Sequence, residues 1–299
     1  MSARDVPAGR PERIMRDDPP IGEDVPMHGA SYPLYDAHIH LDSYPEERRE
    51  PLLAEALAAG AAGLVAVSMD VASCEENRRL AQRHPGLVLP AYGHHPEQPA
   101  LAADGPELGR LCDWIRARAA EGEPFAIGEV GLPYYLRTET ESRGEPFDEA
   151  PYVRQLERFV ALAAELDRPI VLHAVYEDAD KALELLERHR VRQAHFHWFK
   201  GSAATVRRMA RSGYYVSCTP DVLYEPDIRE LASAYPLELL MTETDGPWPF
   251  EGPFAGRETT PAMTRDVVRE LGRLRGLSEE AAGRALAANA RRLYWGPDA

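Results

Sequence analysis

Apolar residues fall along this chain in two alternating patterns. Eight short runs are almost continuously apolar and rich in β-branched and aromatic residues: 33–39, 63–68, 87–92, 125–130, 169–173, 193–198, 214–218 and 238–243. Between them lie longer stretches in which apolar residues recur every three or four positions, the period of an amphipathic helix. "EERREPLLAEALAAG" closes on Gly60 as a helix stop, "SCEENRRLAQRH" opens on Ser73 as an N-cap, and "EAPYVRQLERFVALAAEL" and "EDADKALELLERH" follow the same rhythm. Two further helices are predicted in 260–275 and 278–293. Residues 136–149 (LRTETESRGEPFDE) lack an apolar period and read as a long strand-to-helix loop, a candidate lid.

Eight strands, each followed by a helix within about 265 residues, match the scale of a (β/α)8 barrel. Strands apolar along their whole length fit a parallel sheet covered on both faces. An open doubly wound sheet would carry a Gly-rich phosphate loop after an early strand, and none is present. The fold class expected is therefore α/β, a TIM barrel with an additional C-terminal helix. Residues 32–299 form one domain in this reading. Residues 1–31, charged and Pro-rich with few large apolar side chains, read as a flexible tail.

Composition narrows the class. The net charge of -15 speaks for solubility and against broad affinity for long nucleic acid, which relies on clustered Lys and Arg. Bound divalent cations would reverse the local field and still admit a phosphodiester. No 20-residue apolar span or secretory signal is apparent, and Cys74, Cys112 and Cys218 are scattered, so a cytoplasmic enzyme with reduced thiols is expected.

The chemistry lies where the strands end. Active sites of such barrels form at the C-terminal strand ends, and seven of the ten histidines fall there. The first strand ends on His38 and His40, the third is followed by His94 and His95, the fourth ends on Glu129, the fifth on His173, the sixth carries His195 and His197, and the eighth leads into Asp245. His38, His40 and Asp245 suit one cation, with Glu129 bridging to a second held by His173 and His197. Such a pair activates a water for attack on an electrophile, with Asp245 placed to take its proton. Imidazole and carboxylate ligands suit Zn, Mn, Fe or Co, and Mg less comfortably.

"DAHIHLD", "YGHHPE", "AIGEVGLPYY", "VLHA", "HWFKG" and "ETDGPW", in this order over residues 33–295, resemble the successive signatures of the TatD family of metal-dependent hydrolases. The resemblance implies a TIM barrel, two divalent metal ions and hydrolysis of phosphodiester bonds at nucleic-acid ends. Carried over by position, it implies the same six ligands: His38, His40, Glu129, His173, His197 and Asp245. The chain departs from the family pattern at Pro133, where Asp is usual, and at Val175, where Arg is usual. It departs again at Trp198 and Lys200 in the sixth motif.

Further roles follow. His95 is assigned to substrate phosphate contact or proton transfer, Lys200 to the positive charge that Val175 does not provide, and Trp198 to base stacking. Tyr134 and Tyr135 are candidates for the pocket lining, as is Trp248. His195 is expected one layer below His197, orienting a ligand from the core. Asp36 is expected beneath the site, Asp42 as a cap, and Glu243 behind a ligand or in the barrel wall. Lys200, Gly201 and Ser202 open a helix whose free amides would suit an anion, with an ordinary N-cap as the equal alternative for Ser202, and His84 and His189 read as solvated. Two rival readings keep the barrel: an amidohydrolase-like deacylase or lactonase attacking a carbonyl with the same metals, and a non-catalytic metal-binding subunit.

Overall fold

In a computed structural model the described residues are 32–296, so the proposed tail and His28 lie outside them. Eight parallel strands pair in chain order: β1 (Leu34–Ile39), β2 (Ala61–Val67), β3 (Val88–Tyr92), β4 (Ala126–Gly131), β5 (Ile170–His173), β6 (Ala194–Phe196), β7 (Tyr215–Cys218) and β8 (Leu240–Thr242). The strip closes where β8 meets β1. The Thr242 hydroxyl donates to the Tyr35 carbonyl at 2.7 Å, Asp245 N–H to the His38 carbonyl at 2.9 Å, and His40 N–H to the Gly246 carbonyl at 2.8 Å. The expected (β/α)8 barrel is the observed one.

Helices fill the crossovers: α1 (Glu46–Ala58), α2 (Val71–Arg83), α3 (Pro106–Ala120), α4 (Tyr134–Ser142), α5 (Ala150–Leu166), α6 (Asp178–His189), α7 (Ala203–Ser212) and α8 (Pro226–Ala234). After β8 come α9 (Thr264–Arg275) and α10 (Glu279–Tyr294). The outward strand residues, among them Ile127, Leu172, Phe196 and Val216, pack under the helices in one continuous apolar layer. The inward residues Ala37, Val65, Leu89, Val171 and Met241 meet Ala290, Leu293 and Tyr294 of α10. Trp295 packs edge-on against Tyr35, near the start of β1, at 5.1 Å. The last helix therefore stoppers the N-terminal end of the bore and leaves the C-terminal end for chemistry. None of the described helices is long and apolar enough to cross a membrane.

Three local expectations change. The first half of 136–149 is not a loop, because α4 runs over Tyr134–Ser142. It has no cap of its own; the Glu97 carboxylate, from the loop after β3, accepts the Tyr135 and Leu136 amides at 3.1 and 2.8 Å. A cap supplied 38 residues away in sequence leaves no local signature. The helix predicted from Ser73 starts earlier. Asp70 is its N-cap, accepting the Ser73 amide at 2.9 Å, and Ser73 Oγ accepts the Met69 N–H in return. The eighth strand is shorter than expected, since Leu237–Leu239 form a 3-10 turn after Pro236. Of the two readings for Ser202 the structure shows the N-cap of α7, with Ser202 Oγ accepting the Thr205 amide at 3.1 Å.

Candidate functional site

The barrel seam builds the first half of the site. Asp36, fully buried in β1, accepts the Thr244 amide at 3.0 Å, the Thr244 hydroxyl at 2.5 Å and the His38 amide at 3.3 Å. It ties the end of β1 to the turn after β8. Asp245 sits in that turn with φ +51°, in the left-handed region that Asp tolerates better than most residues. His38 Nε2 and His40 Nε2 lie 3.3 and 3.4 Å from Asp245 Oδ1, and 3.1 and 3.4 Å from Glu129 Oε2.

Glu129 reaches the other half with its second oxygen. Oε1 is 2.9 Å from His173 Nδ1 and 2.7 Å from His197 Nε2, and those two nitrogens are 3.2 Å apart. Gly131 lets β4 and β5 approach this closely, because a Cβ there would collide with the His173 carbonyl. The carboxylate, 0% exposed, thus divides its oxygens between two groups of nitrogen atoms.

These residues fit a metal. Ligand atoms on one tetrahedral cation at about 2.0–2.1 Å stand about 3.3 Å from each other, near the spacing within both groups. His38 Nε2, Glu129 Oε2 and Asp245 Oδ1 are buried and make no hydrogen bond despite that proximity, the pattern of lone pairs converging on a common point. Burial works against charge on Glu129 and Asp245, yet the imidazoles around them hold both carboxyls below the usual range. Against burial, Asp245 and Glu129 raise His40 to about 9 and Glu129 and Glu97 raise His173 to about 9, while burial and His38 push His197 down to about 4. Imidazoles that compete for protons around two carboxylates are relieved when a cation replaces the protons. All three cysteines are buried thiols and none belongs to a candidate ligand group among the described residues.

His95 lies beside the six candidate ligands and is not one of them in the sequence reading. Its Nδ1 accepts the Glu97 backbone N–H at 3.1 Å, so a neutral ring carries its proton on Nε2, 3.3 Å from Glu129 Oε1. Its position would allow it to join Glu129 and His173 around an ion, but that proton makes it a donor. Glu97 went unassigned in the sequence although it belongs to "YGHHPE". Its Oε1 lies 3.6 Å from His173 Nε2, which leaves Nδ1 facing Glu129. A carboxylate behind a ligating imidazole fixes its tautomer and orientation. His94 only bonds the Pro99 carbonyl, at 3.1 Å. His84 and His189 pair with Glu50 and Glu157 away from the site.

Beneath the ligands runs a buried polar chain. Tyr294 Oη lies 2.6 Å from His195 Nδ1, His195 Nε2 lies 2.5 Å from Ser217 Oγ, and Ser217 Oγ donates to Glu243 Oε2 at 2.5 Å. Glu243 Oε1 accepts the Trp198 amide at 2.7 Å and lies 3.9 Å from His197 Nδ1. His195 is thus in the layer expected for it, and it connects toward His197 through Ser217 and Glu243 rather than by touching it.

A cavity of about 880 Å³ opens over the ligands, lined by His95, Tyr135, Val175, Trp198, Lys200 and Trp248 among others. Trp198, at φ +38°, ends β6 two residues earlier than the apolar run suggests. Its indole N–H donates to Asp221 at 2.5 Å, and Lys200 Nζ lies 5.5 Å from its ring. Asp221 carried no signal in the sequence, because its partner is 23 residues away. Tyr134 does not line the cavity. Its ring packs on Tyr176 at 4.6 Å with Arg137 over it, and Tyr135 faces the opening instead. Helix periodicity turns adjacent residues to different sides, so only one of the two tyrosines can face inward.

A parallel eight-stranded barrel with a buried histidine–carboxylate cluster at its C-terminal mouth defines a metal-dependent hydrolase. Residues 35–295 match the family model described as TatD related DNase, and the chain belongs to that family. It is 34% identical to an "Uncharacterized metal-dependent hydrolase" of Haemophilus influenzae, over 87% of this chain and 99% of the relative. It is 27% identical, over 87% of this chain and 99% of the relative, to the "3'-5' ssDNA/RNA exonuclease TatD" of a Pantoea species. The crystal structure of a TatD homolog from Escherichia coli superposes with a TM-score of 0.71 at 25% identity, covering 87% of this chain and 97% of that one.

Proposed function

We infer that this hydrolase is a nuclease that cuts phosphodiester bonds with two divalent cations. The observation that carries the reading is the division of Glu129 between two nitrogen groups 2.7–3.4 Å from its oxygens. His38, His40, Asp245 and Glu129 would hold one cation, and Glu129, His173 and His197 the other. When bound, such a pair supplies Lewis acidity and an activated water.

The chain's own residues do the rest. Glu129 fixes the spacing of the two sites. Asp245, anchored at the barrel seam, takes the proton of the attacking water. His95 Nε2–H donates toward a phosphoryl oxygen, and Lys200 contributes charge from the cavity wall. The names of nuclease relatives, such as the Pantoea exonuclease, favour a nucleic-acid end as substrate.

The test is an end-labelled single-stranded oligonucleotide incubated with the metal-free chain and then with Mg, Mn or Zn, beside a panel of carboxylic esters, lactones and amides. Metal-dependent shortening of the oligonucleotide is expected. Ester, lactone or amide turnover without shortening would overturn the nuclease reading in favour of carbonyl chemistry.

A further inference from the structure

The cavity above the ligands is built for aromatic groups and poorly built for a long polyanion. Trp248 follows Asp245 by three residues, donates its N–H to the Asp245 carbonyl at 3.0 Å and leaves 57% of its surface exposed. Tyr135, 49% exposed, has its ring 6.0 Å from that of His173. Asp245 belongs to one ligand group and His173 to the other, so an exposed aromatic ring stands beside each. Trp198 forms a third wall, 6.1 Å from Trp248, and is held by hydrogen bonds at both its amide and its indole N–H. A ring fixed this way offers stacking area without the entropy cost of ordering it on binding.

Charge points the same way. Among the described residues lining the cavity, Lys200 is the only Lys or Arg, and the Glu97 carboxylate shares the lining. Arg49 on α1 is paired with Glu76, and Arg137 on α4 with Glu177 and Asp178. The whole chain carries a net charge of -15. Proteins that follow a nucleic-acid strand line its path with basic side chains, one for each phosphate neutralised. Here the side chains provide for one. The volume of about 880 Å³ also lies within the range of small-molecule pockets, about 300–1,000 Å³.

We propose that the preferred substrate is a single phosphodiester flanked by two planar aromatic groups, such as a dinucleotide, rather than a long strand. This rests on the nuclease reading and sharpens it. In the reaction the water oxygen bonds to phosphorus, the bond from phosphorus to one ester oxygen breaks, and the leaving alcohol takes a proton. The products are a nucleoside monophosphate and a nucleoside.

The test compares the dinucleotide dTpdT with a twelve-residue oligothymidylate on the Mn-loaded full chain, across a salt series. Binding of both is also followed by tryptophan fluorescence after EDTA treatment, where no turnover interferes. The expected result is a kcat/KM for dTpdT at least equal to that for the longer strand. The log–log salt slope should be shallower than about −1, the value for roughly one phosphate contact. Trp248→Ala and Tyr135→Ala should each weaken dTpdT binding about five-fold or more. A ten-fold preference for the long strand with a slope of about −2 or steeper overturns the proposal and leaves the nuclease reading intact. Wild-type binding by both aromatic variants also overturns it. Hydrolysis of neither compound overturns the nuclease reading itself, and the proposal with it.

Discussion

Asp245 donates its backbone N–H to the carbonyl of His38 at 2.9 Å, so two candidate ligands of one ion are joined by one of the hydrogen bonds that close the barrel. The geometry of that ion site and the closure of the sheet are one feature. A change that loosens the seam should therefore weaken metal binding before it unfolds the chain. Thr244→Val removes the hydroxyl that donates to Asp36 and leaves Asp36 short of a buried partner. We expect a stability loss of about 1–3 kcal/mol by urea titration, together with a measurable fall in metal affinity by calorimetry. Unchanged affinity in a destabilised variant would separate the two.

Glu129→Gln and Asp245→Asn should each abolish hydrolysis while leaving the far-ultraviolet circular dichroism unchanged. Glu129 oxygens lie within 3.4 Å of both nitrogen groups, and Asp245 Oδ1 lies 3.3–3.4 Å from the His38 and His40 nitrogens. Calorimetry with Mn or Zn should accordingly show a lower stoichiometry or affinity at two sites for the first and at one for the second. Normal turnover in either variant contradicts the assigned roles.

Metal should stabilise the fold. The buried lone pairs of His38, Glu129 and Asp245 lack partners without a cation. Binding to the folded state alone adds about 2.7 kcal/mol at a free concentration one hundred times Kd. EDTA should lower Tm, added Zn or Mn should restore it, and Glu129→Gln should blunt the response. A Tm indifferent to chelation in protein shown by elemental analysis to be loaded would contradict this.

Glu97 is expected to act through His173 and α4 rather than on substrate chemistry. Glu97→Gln keeps the size of the side chain and removes the charge behind His173 Nε2. Losses of roughly 10–100-fold in metal affinity or activity are typical for such partners. Glu97→Ala should in addition cost about 1 kcal/mol through the lost cap of α4. Wild-type metal affinity in Glu97→Gln would leave only the capping role.

Asp221 predicts a pH effect. Burial raises its carboxyl to about 6, against the hydrogen bonds from Thr219 and Trp198. The folded state therefore holds a proton that the unfolded chain releases near the ordinary Asp value, so this group favours folding at low pH. That contribution is lost as pH rises from about 4 to about 6. In EDTA-treated protein, wild type should lose stability relative to Asp221→Asn across that window, and the difference should level off above it. Parallel pH profiles for the two proteins would refute the assignment.

The sequence by itself determined the architecture and a set of candidate ligands. Apolar runs bounded by amphipathic stretches are a local property, and eight of them place each strand end at the same rim; His38, His40, Glu129, His173, His197 and Asp245 could be gathered from that rule alone. What only the tertiary structure decided are contacts between segments far apart in the chain. The Glu97 carboxylate caps α4, and Asp221 holds the Trp198 indole. Tyr294 reaches His195 through the bore, 99 residues away. Tyr135 rather than Tyr134 faces the cavity, because α4 starts at Tyr134 and runs on into the segment that the sequence pattern shows only as a polar loop. Periodicity records which face a residue turns to its own neighbours; it holds no record of which distant side chain completes a cap, fixes a rotamer or turns a nitrogen toward a metal.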